Sequence, residues 1–301
     1  MLPLKVYHMK MYRELIREDI ELNRFGKKDI IEQTNQAKHL LISRGAKKGD
    51  VVNVSIPLNG IKQLAYVLAC LELGLPLYTN HDDVFHPSKQ AIIRHNVEDY
   101  IRKYNKPFLS FVIDGADQNA QRFHEQHYEQ YKWLNEARNN GMMGIKLTPE
   151  MMDDCPTDDI QPWEVNDDDP ALFIAEELLT GEIDDLYKNK VLHGQLLWRI
   201  QSTFDHFEDN DIYGYGMSYH HGQSLEHLFG ALHKCKTVLS VQIPSKELYG
   251  RGMDAIVHRE SRKFKGDNGI TVMYELHSDM MDDLYKCLDS NEDGNLKIIS
   301  Y

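Results

Sequence analysis

The sequence predicts an α/β fold built around a parallel sheet. Two observations carry this prediction: apolar positions at helical spacing alternate along the chain with short apolar runs of strand length, and turn residues separate the two kinds of segment. Such alternation is typical of strands joined by helical crossovers, which makes the strands parallel. A chain of 301 residues, 42% hydrophobic and 27% charged, has enough apolar material for one large domain or two smaller ones.

The first half of the chain shows the alternation most clearly. Residues 1–26 carry apolar positions at helical spacing, which predicts an N-terminal helix packed on the main body. A second helix is predicted from Asp29, as its N-cap, to Gly45, the first residue beyond its end. The elements predicted next are a strand before Pro57, a helix over 61–73, a strand from Leu77, helical structure over 79–106 and a strand over 107–114.

The second half repeats the pattern after a polar, acidic stretch. We interpret residues 1–139 as a first α/β subdomain, 140–168 as an acidic linker and 169–301 as a second α/β subdomain. A polar helix is predicted over 118–139. The second subdomain contains a buried strand at 169–174, an amphipathic helix over 191–207, a helix over 224–233 and a strand over 237–243, then a strand from 269, a helix over 278–288 and a strand over 296–300.

Charge and cysteine content restrict the classes of partner and compartment. A formal net charge of −13 argues against binding to nucleic acid or anionic lipid, and we interpret the basic stretch 258–265 as solvated surface. No apolar run approaches a membrane span and the N-terminus lacks the apolar region of a signal peptide, so we expect a cytoplasmic protein, or part of a particle assembled there. The four cysteines lack metal-site spacing and are expected to be reduced thiols.

The stretch from Asp169 carries the most informative motif. It reads Asp-Pro-Ala-Leu-Phe-Ile and then Ala-Glu-Glu-Leu-Leu-Thr-Gly-Glu-Ile-Asp-Asp. This resembles the nucleotide-loop region of the adenylate-forming superfamily, which includes acyl-CoA synthetases, luciferases and peptide-synthetase adenylation domains. In that family a similar strand precedes Thr-Ser-Gly-Thr-Thr-Gly-Lys-Pro-Lys-Gly, which surrounds the phosphates of ATP. Aligned without gaps, only Thr180 and Gly181 of that loop are retained.

The replacements in this loop reverse its charge. The family's two lysines correspond to Glu182 and Asp184, its last glycine to Asp185, and its serine and first glycine to Glu177 and Leu178. A phosphate site needs small residues, so that backbone N–H groups can approach the anion, and cations that neutralise it. At contact distance near a protein surface one unit charge pair is worth ~4 kcal/mol. The sequence therefore predicts a loop that no longer binds ATP, and no cofactor is expected.

Two further stretches resemble the same family in their packing residues. Around the predicted helix over 61–73, and again over 219–238, glycine, alanine, leucine and valine residues match the family in order and spacing. In the second stretch Tyr219, His220 and Gly222 correspond to the family's acyl pocket. Two interpretations stay open for them: a retained acyl pocket, or a packed turn histidine beside a structural glycine. The family's adenine-binding segment and small C-terminal domain would lie beyond Tyr301.

The candidate metal ligands in the sequence have simpler explanations than metal binding. His221 and the pair His124 and His127 lack an accompanying carboxylate or thiol at ligand spacing. The stretch from Asp289 copies the first eight positions of a calcium loop, but position twelve would be Ser300 where a bidentate glutamate is needed. We interpret it as a turn between a helix and a strand, and no metal is expected.

The leading functional hypothesis is a catalytically inactive relative of the large N-terminal domain of adenylate-forming enzymes, without their small C-terminal domain. It would serve as a structural or interaction subunit, with other protein chains as partners, in a larger assembly such as a viral particle. Two alternatives stay open. One is an AMP-forming carboxylate ligase, using ATP and Mg²⁺, that a second chain completes. The other is a regulator that binds an acyl ligand.

Overall fold

The computed structural model describes residues 12–22, 25–55, 61–79, 98–99, 101–103, 105, 107, 109–114, 144–174, 190–207, 212–215, 222–240, 259–266, 271–277 and 296–299. Within these ranges the helices are α1 (Lys27–Ser43), α2 (Ile61–Glu72), α3 (His193–Ser202) and α4 (Gly222–Lys234). The strands are β1 (Glu21–Leu22), β2 (Val52–Ser55), β3 (Leu77–Thr79), β4 (Phe111–Asp114), β5 (Ile145–Leu147), β6 (Pro170–Ile174), β7 (Lys190–Leu192), β8 (Ile212–Tyr215), β9 (Thr237–Ser240), β10 (Arg259–Gly266), β11 (Thr271–His277) and β12 (Leu296–Ile299).

The strands form two six-stranded sheets. The first sheet has the order β5-β4-β2-β3-β6-β7, and every pair in it is parallel except the β6–β7 pair. The second sheet has the order β1-β9-β8-β11-β10-β12. In the second sheet β1, β9, β8 and β11 are parallel, whereas β10 pairs antiparallel with both β11 and β12. The predicted α/β class with a parallel sheet is confirmed.

Helices α1 and α2 pack together and join the first sheet in the hydrophobic core. Eleven of the twelve residues of α2 are buried, which explains why its sequence is apolar on all sides. α1 begins after Gly26, whose backbone N–H donates to Asp29 Oδ2 at 2.8 Å. Asp29 is thus the third helical residue, and its prediction as the N-cap is wrong: its carboxylate reaches back over one turn to cap from inside the helix. Gly45 follows the helix with φ +86°, as predicted.

The predicted helix over residues 1–26 is wrong for the described residues 12–22, which we call the N-terminal clasp. The clasp contains a 3-10 turn, Tyr12–Leu15, and then β1. Two of its backbone hydrogen bonds reach distant parts of the chain: Arg17 N–H donates to Leu232 O at 3.1 Å, and Glu21 N–H donates to Lys236 O at 2.7 Å. The apolar residues at helical spacing are buried, but a chain in turn and strand conformation buries them.

The predicted single helix over 191–207 is also wrong, because three short elements occupy this range. Val191 pairs with Leu172 in the β6–β7 ladder, so the start of the range belongs to the first sheet. α3 follows and ends at Ser202, where the Thr203 hydroxyl donates to Ile200 O at 2.7 Å, and a 3-10 turn spans Phe204–His206. Val191, Leu196 and Ile200 are nevertheless all buried, as the amphipathic pattern requires.

The predicted acidic linker is ordered where the structure describes it. Residues 145–147 form the edge strand β5, a 3-10 turn spans Pro149–Met152, and residues 153–168 then run along α1. α1 holds this segment through side-chain donors: Asn35 Nδ2 bonds Thr157 O at 3.2 Å and Lys38 Nζ bonds Ile160 O at 3.0 Å. Because β6 and β7 belong to the first sheet, the change from the first sheet to the second occurs after β7. The two-subdomain division at 140–168 stays a prediction.

The remaining predicted elements agree where they can be compared. The helix over 224–233 is observed as α4, and the strands predicted before Pro57, from Leu77 and over 237–243 are observed as β2, β3 and β9. The strand over 107–114 is shorter than predicted, and the last two predicted strands correspond to β11 and β12. Residues 118–139 and 278–288, predicted as helices, lie outside the described residues. None of the helices in the described part of the chain has the length and apolar composition that crossing a bilayer requires.

Candidate nucleotide-loop region

The stretch that resembles a nucleotide loop connects two neighbouring strands of the first sheet. It leaves the carboxyl end of β6 at Ile174 and returns at Lys190, the first residue of β7. β2, β3, β4 and β6 are parallel, so the loops after their carboxyl ends emerge at one edge of the sheet. The strand order changes direction at β2, with β3 on one side and β4 on the other. Ligands of open parallel sheets bind at such an edge, beside the change of direction.

The predicted loop residues themselves lie outside the described part of the chain. Thr180 and Gly181 fall within residues 175–189, so only the two strands that flank the loop are described. β6 places the start of the loop at the carboxyl edge of the sheet, since it pairs with β3 in register from Leu77 opposite Leu172 to Thr79 opposite Ile174. The position of the loop in the sheet therefore follows from the fold, whereas the roles of Thr180 and Gly181 stay predictions.

A charged cluster lies at the opposite end of β6. The Asp169 carboxylate accepts hydrogen bonds from Lys48 Nζ and from the Asn166 backbone N–H, both at 2.7 Å, and Lys48 also donates to Glu164 O at 2.7 Å. The hydrogen bond from Lys48 is the main reason why the pKa of Asp169 lies below its usual value. The Asp169 carbonyl oxygen accepts from the His193 backbone N–H at 2.9 Å, which joins this cluster to the start of α3.

The distance along β6 separates this cluster from the nucleotide loop. A strand rises by about 3.3 Å per residue, so Ile174 lies about 13 Å beyond Pro170. Lys48 and His193 are therefore at the amino edge of the sheet, and the loop leaves from its carboxyl edge. This cluster holds the turn before β6 against α3 and is not placed to bind a phosphate in the loop.

A second charged group is buried between α1, α2 and the N-terminal clasp. The Glu72 side chain is 1% exposed and accepts two hydrogen bonds from Arg13, Nε to Oε1 at 2.8 Å and Nη2 to Oε2 at 2.6 Å. Lys38 Nζ contacts the same carboxylate, and its side chain is fully buried. Burial lowers the pKa of Lys38, whereas the hydrogen bond with Glu72 raises that of Arg13. Two cations share one buried carboxylate here, so each buried charge has a partner of opposite sign, as buried charges in proteins require.

Sequence reasoning missed this group, although a signal was present. Lys38 lies on the same helical stripe as Ile30, Thr34 and Leu41, all of which are buried. Glu72 ends a helix that is otherwise almost wholly apolar. A charged residue on a buried stripe needs a partner of opposite charge, and these two residues could have been paired on that ground.

A buried tyrosine–histidine pair connects the clasp to α3. Tyr12 Oη and His193 Nδ1 are 2.8 Å apart, and both residues are buried. Burial lowers the pKa of His193 to about 4, against raising effects from Asp169 and Asp167. The second ring nitrogen, Nε2, is buried and has no hydrogen-bond partner among the described residues. The pair was also missed by sequence reasoning, because its members are 181 positions apart.

The second predicted site follows the carboxyl end of β8. β8 is parallel to β9 and β11, so the connection over 216–221 leaves from the carboxyl edge of the second sheet. Tyr219 and His220 lie in this connection, outside the described residues, and Gly222 is the first residue of α4. The packing residues that follow are observed as expected, since Leu228, Ala231 and Leu232 are all buried. The pocket role of Tyr219, His220 and Gly222 stays a prediction.

Cysteines and metal ligands give no site in the part of the chain that is described. Cys70 and Cys235 are buried free thiols and Cys155 is a half-buried one. Burial raises the pKa of the Cys70 thiol. Across the described ranges no group of histidine, cysteine and acidic side chains has the arrangement of a metal site. His124, His127, His221 and the calcium-like turn from Asp289 lie outside those ranges.

Comparison with known proteins finds similarity in fold but not in sequence. No family model matches the sequence, and no curated protein sequence matches it either. Solved structures do match the fold. The N-terminal domain of FACL13 from Mycobacterium tuberculosis, solved with an inhibitor, has a TM-score of 0.53 at 12% identity, over 75% of this chain and 52% of that chain.

Two other solved structures give similar values. ATP-bound MatB from Rhodopseudomonas palustris matches with a TM-score of 0.52 at 12% identity, over 79% of this chain and 46% of its own. Unliganded o-succinylbenzoate CoA synthetase, MenE, from Bacillus subtilis matches with a TM-score of 0.51 at 12% identity, over 79% of this chain and 45% of its own. The chain thus spans about half the length of these structures. It has the α/β fold of the N-terminal region of adenylate-forming enzymes.

Proposed function

We propose that this chain is a catalytically inactive relative of adenylate-forming enzymes that acts as a structural or interaction subunit beside other protein chains. The observation that carries the proposal is the charge of the loop after β6. Residues 176–185 contain five acidic residues and no lysine or arginine. This stretch follows the carboxyl end of β6, at the edge where open parallel sheets bind their ligands.

The electrostatic argument concerns the triphosphate of ATP. Acyl-adenylate formation needs donors and cations around the charge that develops on pyrophosphate. A loop with five carboxylates would instead face the phosphates with like charge, at ~4 kcal/mol for each close unit pair near a protein surface. Lys48 does not compensate, because it is paired with Asp169 at the other end of that strand.

Titration with magnesium ATP tests the loss of nucleotide binding. We expect no saturable heat at millimolar nucleotide and no rise in melting temperature. A site with a Kd one hundred times below the ligand concentration would stabilise the protein by about 2.7 kcal/mol, which a melting curve detects readily. The matched variant carries Glu182→Lys and Asp184→Lys, which restore the two cations of the family loop. Saturable binding by the unmodified chain would contradict the proposal.

The subunit role has its own test. When the chain is isolated from the cells that make it, we expect it to elute in a complex of defined composition, well above its own 35.0 kDa. Cross-linking before lysis, followed by mass spectrometry, would name the partner chain. Elution of the native protein as a free monomer, with no cross-linked partner, would contradict this half of the proposal and leave the loss of nucleotide binding unaffected.

A second candidate function rests on the connection after β8. We propose it because Tyr219 and His220 follow the carboxyl end of a strand in a parallel group, where a carboxylate ligand would be bound. A regulator of this kind would bind fatty or aromatic acids saturably, and Tyr219→Ala would abolish that binding. A ligase completed by a second chain would in addition catalyse pyrophosphate exchange when that chain is present. Absence of both activities would leave the subunit role.

A further inference from the structure

The N-terminal clasp joins helices on both sheets. Arg13 is paired with Glu72 at the end of α2, beside the first sheet. Tyr12 contacts α3 through His193 and packs its ring against Phe229 of α4, with centroids 5.7 Å apart. β1 then pairs with β9 of the second sheet. A segment of eleven residues therefore contacts elements of both sheets, and its partner β9 lies more than two hundred positions later in the chain.

His193 is the residue in this contact whose hydrogen bonding changes when the protein is acidified. A neutral imidazole has one donor and one acceptor nitrogen, so Nδ1 and Tyr12 Oη can form one good hydrogen bond in either tautomer. The imidazolium has two donors. Nε2–H would then be buried without an acceptor among the described residues, and Tyr12 could bond Nδ1 only by giving up its own donor role.

We propose that the N-terminal clasp is an acid-released latch, in which protonation of His193 detaches residues 12–22 from α3 and α4 while the helices of the first sheet stay folded. Detachment relieves this unfavourable hydrogen bonding, because it exposes the imidazolium and the Tyr12 hydroxyl to water. The contacts of Arg13 with Glu72 and Asp159 contain no histidine, so the latch opens at its α3 end first.

The charged groups around His193 do not stabilise the imidazolium enough to offset the cost of its burial. Asp169 faces the ring from the turn before β6, but Lys48 and the Asn166 backbone already bond its carboxylate. Burial and Lys48 oppose the imidazolium, whereas Asp169, Asp167 and the Pro170 backbone favour it; burial is the largest effect and lowers the pKa to about 4. From the clasp the ring meets the neutral side chain of Tyr12, with centroids 5.6 Å apart, and the Tyr12 ring in turn packs on Phe229 of α4.

A second histidine, which contacts the clasp from α4, responds differently to protonation. His233 of α4 donates from Nδ1 to Leu15 O at 3.2 Å and stacks on Phe204 with centroids 4.2 Å apart. A protonated His233 still donates to Leu15 O, so its hydrogen bond survives acidification. Burial, together with Lys234 and Arg17, lowers the pKa of His233 too. Any opening caused by His233 would persist in a variant that lacks only His193.

The sign of the pH effect follows from the direction of the shift. Because the pKa of His193 is lowered from 6.5 to about 4, the open state binds the proton more tightly. The clasp is thus fully closed above pH 6.5 and loosens as pH falls towards 4. For these two pKa values the opening constant rises about 20-fold between pH 7 and pH 5 and about 100-fold between pH 7 and pH 4.

Hydrogen exchange followed by mass spectrometry on the full chain tests the latch. Peptides covering residues 12–22 report the clasp, where Arg17 and Glu21 donate backbone hydrogen bonds to Leu232 and Lys236. After correction for the intrinsic exchange rate, we expect protection in the clasp to fall about 20-fold from pH 7 to pH 5. Peptides covering α2 should keep their protection over the same range.

Three variants separate the latch from general acid lability. His193→Asn offers Tyr12 an acceptor that does not titrate, and should greatly reduce the pH dependence of clasp protection, leaving only the part that His233 causes. Tyr12→Phe loses the hydrogen bond and should leave the clasp less protected already at pH 7. His39→Gln, at a half-buried histidine of α1 that lies away from the clasp and bonds Asp158 O, should resemble the unmodified chain. An unchanged pH dependence in His193→Asn, or simultaneous loss of protection in α2, would overturn the proposal.

Discussion

Replacement of Glu72 by glutamine should destabilise the protein more than its small change in size would imply. The Glu72 carboxylate is 1% exposed and serves two cations, Arg13 and the fully buried Lys38. Glutamine keeps the shape and one acceptor oxygen but removes the negative charge. Arg13 retains Asp159 at 3.0 Å, whereas Lys38 would keep only the Ile160 carbonyl oxygen and the new amide oxygen.

The magnitude follows from leaving a charge buried without its counter-ion. Breaking a buried ion pair by removing one partner costs about 3–5 kcal/mol, whereas exposed pairs contribute about 0–1 kcal/mol. At about 2–4 °C for each kcal/mol in a chain of this size, Glu72→Gln should lower the melting temperature by about 10 °C. The matched control is Glu32→Gln on α1, where an exposed pair with Lys28 at 3.6 Å is lost and little change is expected.

Urea unfolding of a double-mutant cycle measures the coupling directly. Lys38→Met in the Glu72→Gln background removes the stranded cation, so it should restore most of the lost stability, since apolar replacements of buried pairs are often neutral or stabilising. Lys38→Met alone should cost less than Glu72→Gln, because Arg13 still neutralises the carboxylate. If Glu72→Gln costs less than about 1 kcal/mol, or if the double variant is no more stable than the single one, Lys38 does not depend on Glu72 for its charge.

Four further predictions concern packing and reactivity. Gly230→Ala should cost about 1–3 kcal/mol in urea unfolding, because the new Cβ would meet a threonine hydroxyl at 2.1 Å. Gly144→Ala should cost at least about 2 kcal/mol in the same assay, since φ is +86° and backbone carbonyl oxygens lie at 2.1 and 2.4 Å from that Cβ position. Trp198→Ser should change the free energy of unfolding by less than about 0.5 kcal/mol, because the residue is 60% exposed; a larger loss would reveal packing that its exposure conceals. Cys70 should react with a thiol reagent at pH 8 only as fast as the protein opens, while the half-buried Cys155 reacts first; equal rates would contradict the burial of Cys70.

Local periodicity was sufficient to predict the central elements of both sheets. β2, α2, β3, α4 and β9 are short, strongly patterned segments bounded by glycine or proline, and each was predicted within a few residues of its observed ends. In these segments the residues that set the local pattern are the ones buried in the core. Sequence period and tertiary burial therefore gave the same answer.

The predictions failed where the partner of a segment is far away in the chain. The clasp has apolar residues at helical spacing, but its backbone bonds go to α4 and β9, more than two hundred positions later. Val191 pairs with Leu172 of β6, only nineteen positions earlier, but this partner also lies outside the segment, so neither interaction is encoded in the local pattern. The Lys38–Glu72 pair could have been predicted from the sequence. Each residue is a charge in an otherwise apolar stretch of helix, and a buried charge needs a partner of opposite sign.

The two ends of β6 show which constraints this chain has kept. At its amino end, Asp169 accepts from Lys48 and from the turn backbone, and its carbonyl oxygen holds the start of α3. These contacts fix the position of the strand. At its carboxyl end, the residues that correspond to a phosphate loop carry acids in place of cations. A chain selected for binding ATP would need both ends, whereas a chain selected only to fold and to meet partners would need the first. The contrast within a single strand is what the proposed loss of nucleotide binding would produce, and the magnesium ATP titration tests that proposal.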